Sequence, residues 1–279
     1  MVILPPKNFT NLKWALYKES PGTAGCFLKA YDTINGIKHY YKMSSFDSVR
    51  KVYGHECLNE IVARNIAEKI GLPFLDYKLQ FGTVCVNGSE FDTYFTDSVN
   101  FCKNNETKIA LEHFYELKSN QGEDIIDFLK RYNFWEDVQK MMVFDFLICN
   151  RDRHGANIEI INSKESHRLA PFFDNGLSFF CSCLNNPEQI QNHKTNINAT
   201  VNNYIGTTSL LDNLGLVDFD ILKAISEVEI GPKDLLNGLE NVNLPYIKEY
   251  KDKIIEVFAE RMTYLRDYVR QKDSERNTL

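Results

Sequence analysis

The sequence predicts an α+β fold with two lobes, in which residues 1–98 are strand-rich with one helix and residues 99–279 are mostly helical. In the first part, Asn35-Gly36 and Asn87-Gly88 each separate two strand-like segments, and an Asn-Gly pair in that setting is a strong signal for a two-residue hairpin turn. After residue 98 the pattern changes to helical periodicity. A sheet followed by a mostly helical half indicates two lobes with a ligand-binding cleft between them.

Local patterns predict the strands and the helix of the first part. The segments AGCFLKAYDT and IKHYYKM flank the first Asn-Gly pair, and LDYKLQFGTVCV and EFDTYFTD flank the second. Between the two hairpins, residues 51–70 have apolar side chains at helical spacing, and Gly71-Leu72-Pro73 marks the end of that helix. The apolar residues with this spacing are Leu58, Ile61, Val62, Ile66 and Ile70.

The second part begins with two helical segments, GEDIIDFLKRY and FWEDVQKMMVFDFLIC, and the second is apolar enough to be buried. The segments NIEIIN and HRLAPFF are expected to form two short strands around a polar turn from Ser163 to Ser166. Further helical segments follow, and the clearest is YIKEYKDKIIEVFAERMTYLRDYVRQ near the end.

Composition and charge disfavour several classes of protein. A net charge of −6 and a pI near 5.6 do not favour direct nucleic-acid binding through a broad basic surface. Seven cysteines at scattered spacing argue against a disulfide framework and favour a reducing compartment. The first residues lack the pattern of a signal peptide, and no apolar run approaches the ~20 residues of a membrane span. We therefore expect a cytoplasmic protein without a membrane span.

One group of polar side chains lies between two apolar segments, in ICNRDRHGANIEII, residues 148–161. The hairpin that follows returns the chain to its starting point, so Asn157 and Asp174 are expected to lie close together. Their amide and carboxylate oxygens are hard ligands of the kind that Mg²⁺ prefers. Asp152 would lie nearby, free to orient or deprotonate a hydroxyl, so the set fits phosphoryl transfer. An Asp-Arg-His cluster alone is more often a structural turn, and the second aspartate after the hairpin favours a site.

The first part supplies residues suited to a phosphorylated ligand. Gly22 and Gly25 in SPGTAGC precede a strand, where small residues let backbone N–H groups approach phosphates, although any Pro-Gly turn has the same pattern. Lys42 ends the strand IKHYYKM, where its ammonium could reach phosphate oxygens. Lys38 lies on the same strand face and is the competing candidate, since most strand lysines are simply solvated.

The catalytic segment FDFLICNRDRHGANIEII with LAPFFDNG resembles the core of HipA-like serine/threonine kinases, and its Asp-x-His-x-x-Asn order is also similar to that of phosphoinositide lipid kinases. On the helix, Glu56 and Glu60 are one turn apart, so either could pair with Lys42. NEIVARNIAEKIGLP resembles the HipA-family helix, in which a glutamate lies eleven residues before the glycine of Gly-Leu-Pro. Glu60 has that spacing and Glu56 does not.

This resemblance covers residues 20–180 and implies a protein-kinase-like fold and an ATP- and Mg²⁺-dependent phosphotransferase acting on serine or threonine hydroxyls of a protein. It also suggests an antitoxin-like regulatory partner, because HipA-like proteins are often toxins restrained by such partners. The implied roles are Asp152 as catalytic base, His154 as support for the loop or the transferred phosphoryl group, Asn157 and Asp174 as Mg²⁺ ligands, and Lys42 with Glu60 as phosphate anchor.

Two departures from the family pattern affect the ligand pocket. The segment GTAGCFLK lacks the usual Gln-Pro-Lys or Gln-Glu-Lys run. Tyr40, two residues before Lys42, occupies a position where a smaller aliphatic residue commonly lines the adenine pocket. The tyrosine could stack on adenine, narrow the pocket or face elsewhere.

Other interpretations of the same residues stay open at this point. A lipid or small-molecule kinase would use the same core, and a pseudokinase or interaction module would bind nucleotide without transferring phosphate. A metal-dependent hydrolase built on the Asp/His cluster would turn over without nucleotide, although the sequence has no further histidine cluster to support it.

Overall fold

The computed structural model describes residues 5–15, 27–103 and 105–277. In the first part, five strands form one sheet in the order β1-β6-β7-β3-β2, and β4 and β5 form a separate two-stranded ladder. β1 is parallel to β6, and the other neighbouring strands of the sheet are antiparallel. The elements are β1 (Lys7–Phe9), β2 (Lys29–Ile34), β3 (Ile37–Met43), β4 (Phe46–Asp47), β5 (Lys51–Val52), α1 (Glu56–Lys69), β6 (Lys78–Val86) and β7 (Ser89–Val99).

Both predicted hairpins are confirmed. Asn35-Gly36 joins β2 to β3, and Asn87-Gly88 joins β6 to β7. All four turn residues have φ between 51° and 78°, which is the backbone that a type I′ turn requires and that Asn and Gly tolerate. β3 runs one residue beyond Lys42, to Met43.

The predicted start of the helix at residue 51 is wrong, because α1 begins at Glu56. Lys51 and Val52 form β5, which pairs with β4, and Lys51 has a φ of 60° that a right-handed helix does not allow. The predicted end is close to the observed one, since Gly71 follows the helix with a φ of 69°.

The second part contains most of the helices of the described chain. α4 is buried along most of its length, as its apolar sequence predicts, and it packs against α6, α7 and α9. The expected strands are β10 and β11, which pair antiparallel across the turn at 163–166. The elements are β8 (Thr107–Ala110), α2 (Leu111–Lys118), α3 (Ile125–Arg131), α4 (Trp135–Ile148), β9 (Asp152–Arg153), β10 (Glu159–Asn162), β11 (His167–Leu169), α5 (Pro187–Gln191), β12 (Asn202–Asn203), α6 (Leu210–Leu214), α7 (Phe219–Ser226), α8 (Pro232–Leu235) and α9 (Ile247–Arg276).

Two apolar cores hold these layers together. The smaller core includes Tyr41, Met43 and Phe95 from β3 and β7, on one side of the sheet. The larger core joins the buried face of α1 to α4 and α9, so α1 is packed against the helical part as well as the sheet. This packing fixes side chains on α1 relative to the loops that follow α4. Within the described residues, no helix combines the length and the apolar character needed to cross a membrane.

Candidate active site

A lysine from a strand, a glutamate from a helix and an aspartate from a loop meet at the centre of the site. Lys42 on β3 places its Nζ 3.2 Å from Oε1 of Glu60 on α1, and it also forms a direct ion pair with Asp174. The other carboxylate oxygen of Glu60 accepts a hydrogen bond from the backbone N–H of Asn175 at 2.9 Å. Glu60 therefore contacts both the lysine and the segment that carries Asp174.

The competing residues of the sequence analysis have other contacts. Glu56 accepts hydrogen bonds from the backbone N–H and the hydroxyl of Ser45, at 3.1 and 2.5 Å, so its carboxylate caps the turn after β3. The Nζ of Lys38 lies over the rings of Tyr31 and Tyr40, 4.4 and 4.8 Å from their centroids. Neither side chain takes part in the cluster around Lys42.

Burial and neighbouring charges shift the pKa values of this cluster. Burial acts to lower the pKa of Lys42, but the charges of Asp174 and Glu60 outweigh it and the pKa is raised. Burial acts to raise the pKa of Asp174, but the adjacent Lys42 and the nearby Lys29 hold it below its usual value. For Glu60, burial prevails over the attraction of Lys42 and the pKa is raised. The contact between Lys42 and Asp174 thus favours the charged form of both side chains.

The backbone of Asp174 has a φ of 59°, in the left-handed region. Asp and Asn adopt this conformation more readily than other residues with a side chain, and strained backbone of this kind is concentrated at functional sites. The backbone N–H of Asp174 donates to the hydroxyl of Tyr77 at 3.4 Å. This geometry directs the carboxylate toward Lys42.

Asp152 lies in β9, which pairs in parallel with β12 from a later part of the chain. Its Oδ1 accepts a hydrogen bond from the side-chain amide of Asn202 at 3.1 Å. Its Oδ2 is 3.7 Å from Nε2 of His154, whose Nδ1 accepts a hydrogen bond from the N–H of Ala156 at 3.2 Å. Asn202 could not be identified from the sequence, because it lies 50 residues further along the chain than Asp152.

A buried ion pair ties this loop to the helix before it. The guanidinium of Arg153 donates to both carboxylate oxygens of Asp145, at 2.9 and 2.7 Å, and both side chains are 1% exposed. The same guanidinium donates to the carbonyl of Phe173 at 3.2 Å and to the side chain of Asn175 at 2.7 Å. Sequence reasoning missed this pair, although a lone Asp in the apolar run MMVFDFLIC is the kind of signal that indicates one.

Asn157 and Asp174, the residues predicted to hold Mg²⁺, lie on segments that Arg153 brings together. One nitrogen of Arg153 contacts the carbonyl oxygens of both Asn157 and Phe173, so the two segments lie together. The side-chain amide of Asn157 donates to the carbonyl of Asp152 at 2.8 Å, and its Oδ1 is buried without a partner in the described chain. A buried oxygen without a donor costs stability unless a ligand satisfies it, and an amide oxygen beside a carboxylate suits Mg²⁺. The described residues contain no group of three or more His, Cys, Asp or Glu side chains suited to a metal.

A cavity of about 250 Å³ opens beside the cluster. β2 and β3 form one wall with Lys29, Tyr31, Tyr40 and Lys42, and Tyr40 is 39% exposed. Ala156, Glu159, Phe173, Asp174 and residues 98–101 also line the cavity. Tyr40 therefore faces the cavity. Gly22 and Gly25 lie outside the described residues.

Comparison with solved structures shows similarity to kinases along nearly the whole chain. The Helicobacter pylori proinflammatory kinase CtkA matches with a TM-score of 0.65 and 17% identity over 96% of this chain and 99% of that chain. The chain has a protein-kinase-like fold. The predicted α+β, bilobal fold class is thereby confirmed.

Two further kinase-like structures match with lower TM-scores. The HipA protein from a Shewanella oneidensis complex of HipA, HipB and operator DNA has a TM-score of 0.46 and 13% identity, over 90% of this chain and 68% of that chain. The Golgi casein kinase has a TM-score of 0.42 and 13% identity, over 88% of this chain and 70% of that chain. No family model matches the sequence, and no curated protein matches it. The assignment of the protein-kinase-like fold rests on the first similarity, whose TM-score is above 0.5.

Proposed function

We propose that this protein is an ATP- and Mg²⁺-dependent phosphotransferase that acts on serine or threonine hydroxyls of a protein. The observation that carries the proposal is the simultaneous contact of Lys42 with Glu60 and Asp174 at the wall of the cavity. Phosphoryl transfer requires a cation that binds phosphate and a carboxylate that binds the metal. The strand lysine, held by the helix glutamate, would supply the cation, and the aspartate beside it would supply the carboxylate. We further propose that residues 1–98 and 99–279 act as the two lobes around this cavity.

In this function the cluster binds the phosphates. Lys42 donates to phosphate oxygens, and Glu60 keeps the ammonium in place through its contact at 3.2 Å. Asn157, through its unpartnered Oδ1, and Asp174 would hold Mg²⁺, which neutralises phosphate charge when bound. Gly22 and Gly25 would let backbone N–H groups approach the phosphates. Tyr40 would contact the adenine, since it lines the same cavity as Lys42.

Asp152 acts on the acceptor rather than on the nucleotide. The acceptor hydroxyl oxygen forms a bond to the γ-phosphorus, the bond between that phosphorus and the bridging oxygen breaks, and ADP leaves with the electron pair. The hydroxyl proton passes to the carboxylate of Asp152. Oδ1 of Asp152 accepts a hydrogen bond from Asn202. The proton is therefore received by Oδ2 of Asp152, which lies on the side of His154. His154 then supports the loop or the transferred phosphoryl group.

The substrate and setting follow from the resemblance of the catalytic segment. We propose a protein substrate, an antitoxin-like regulatory partner and a cytoplasmic location. Direct binding of nucleic acid is not part of the proposal, because the net charge is −6.

The proposal is tested by incubating the protein with γ-labelled ATP, with and without Mg²⁺, alone and with cell lysate. We expect Mg²⁺-dependent label on protein hydroxyls, and Asp152→Asn is the matched inactive control. Label in the lipid fraction or on small molecules would indicate a different kinase. Nucleotide binding without transfer would indicate a pseudokinase, and phosphate release from substrates without nucleotide would indicate a hydrolase.

A second measurement separates the two strand lysines. Mg-ATP should raise the thermal stability of the wild type, by ~2.7 kcal/mol at a hundredfold excess over its Kd. Lys42→Ala should abolish transfer, whereas Lys38→Ala should leave transfer nearly unchanged, because the Lys38 ammonium lies over the rings of Tyr31 and Tyr40. Failure of every purine nucleotide to stabilise the wild type would contradict the proposal.

A further inference from the structure

A second lysine lies directly across the sheet from Lys42. Lys29 is the first residue of β2, and its Cα partner on β3 is Lys42. Residues that pair across two antiparallel strands share one face of the sheet, and the next cavity-facing pair along the same strands is Tyr31 with Tyr40. The side chains of Lys29 and Lys42 therefore enter the cavity side by side.

The two lysines differ in their partners. Lys42 forms ion pairs with Glu60 and Asp174, and Lys108, the third lysine of the cavity, lies 3.0 Å from Glu159. Lys29 is partly buried, and no hydrogen bond or ion pair joins its ammonium to the rest of the described chain. Burial lowers its pKa, and repulsion by Lys42 and Lys108 adds to this against the attraction of Asp174.

This arrangement opposes folding. Like charges directly opposite each other on neighbouring strands are destabilising, and the partial burial of Lys29 without a direct ion pair adds a cost that the attraction of Asp174 offsets only in part. A lysine placed here only for the sheet would be expected at the solvated end of the strand, as Lys38 is. The unfavourable position of Lys29 is explained if an anionic group of a bound ligand pairs with its ammonium.

We propose that Lys29 is a second phosphate-binding cation, which contacts the phosphate chain of the nucleotide beside Lys42. This inference rests on the proposed function and assigns a role to a residue on a different strand from Lys42. In the ligand-free protein Lys42 directly contacts Asp174 and Glu60, whereas the ammonium of Lys29 has no direct ion pair within the described chain and could turn to the phosphates. The inference predicts that both Lys29 and Lys42, on the same face of the sheet, contact the phosphates.

The first test compares ligands by calorimetry in the presence of Mg²⁺. Lys29→Met should weaken binding of ATP and of tripolyphosphate ~10- to 100-fold, the range for a lost charge-assisted hydrogen bond, and leave adenosine binding unchanged. Lys29→Arg should retain most of the affinity because it keeps the charge, and Lys38→Met is the matched control. Wild-type affinity of Lys29→Met for ATP would overturn the inference, as would an equal loss for adenosine.

The second test measures the protein without ligand. Lys29→Met should raise the Tm by about 1–2 °C, because it removes an unpaired cation from beside Lys42. A lower Tm would show that Lys29 serves the sheet itself and would overturn the inference.

The two proposals fail in different ways. If the wild type binds tripolyphosphate but no nucleotide, the proposed function is wrong. The role of Lys29 is then tested by comparing the tripolyphosphate affinity of Lys29→Met with that of the wild type. If the wild type binds neither, both proposals are wrong. If the wild type binds ATP and Lys29→Met binds it equally well, the phosphotransferase proposal stands and the role of Lys29 does not.

Discussion

Replacement of Arg153 by Met tests how the catalytic segment is held. The variant removes both hydrogen bonds to Asp145 and leaves that carboxylate charged in a site where it is 1% exposed. Breaking a buried pair in this way costs about 3–5 kcal/mol, a large part of the ~5–15 kcal/mol that stabilises a typical domain. We expect the Tm to fall on the order of 10 °C. The carbonyl of Phe173 and the side chain of Asn175 also lose their donor, so Mg-ATP should stabilise the variant less than the wild type.

The assay is thermal unfolding of the wild type and the variants with and without Mg-ATP. Asp145→Leu/Arg153→Met removes both charges, so it should be more stable than Arg153→Met alone, with a coupling energy of about 2–3 kcal/mol. Lys248→Met, which breaks an exposed pair with Asp252, is the control and should leave the Tm nearly unchanged. A Tm for Arg153→Met within ~2 °C of the wild type, with full Mg-ATP stabilisation, would refute the role of the pair.

Three further predictions concern the reacting groups. Asp174→Asn should weaken Mg-ATP binding, measured by calorimetry, as well as turnover, measured by label transfer. Asp152→Asn should leave binding unchanged and lower turnover by ~10²–10⁴. Equal effects of the two variants on binding would contradict the separate roles. Asn202→Ala removes the hydrogen bond to the Asp152 carboxylate, so it should lower kcat without changing the KM for ATP. Asn202→Asp should lower kcat further. An altered KM would indicate that Asn202 contacts the nucleotide. Lys42 lowers the pKa of Asp174, so the charged Asp174 stabilises the fold above pH ~4. The loss of unfolding free energy in Asp174→Asn should be largest there and should vanish as the pH falls through the folded-state pKa. Urea titrations that give the same wild-type-to-variant difference at every pH would disprove this.

Much of the fold could be predicted because its signals are local. Asn35-Gly36 and Asn87-Gly88 fix hairpins through their own backbone preferences, and the apolar run of α4 indicates burial without knowledge of its neighbours. The start of α1 could not be predicted in the same way. Lys51 joins a ladder with β4, and a tertiary pairing of this kind overrides helical periodicity.

The candidate site was predictable where residue type and spacing carry the chemistry. The resemblance to the HipA-family helix favoured Glu60 over Glu56, and Glu60 contacts Lys42 in the structure. The position of Lys29 depends on strand register, and the contact between Asn202 and Asp152 depends on a strand pair 50 residues apart. Such contacts leave no periodic trace in the sequence.

The ion pair between Lys42 and Asp174 has a consequence for how the protein responds to chelation. In small metal-binding domains the ligands repel one another until the metal arrives, so a chelator unfolds the protein. Here an ammonium of the chain already balances the carboxylate. If the proposed function is right, a chelator should stop phosphate transfer without unfolding the protein, because Asp174 keeps a charge partner when the metal is removed.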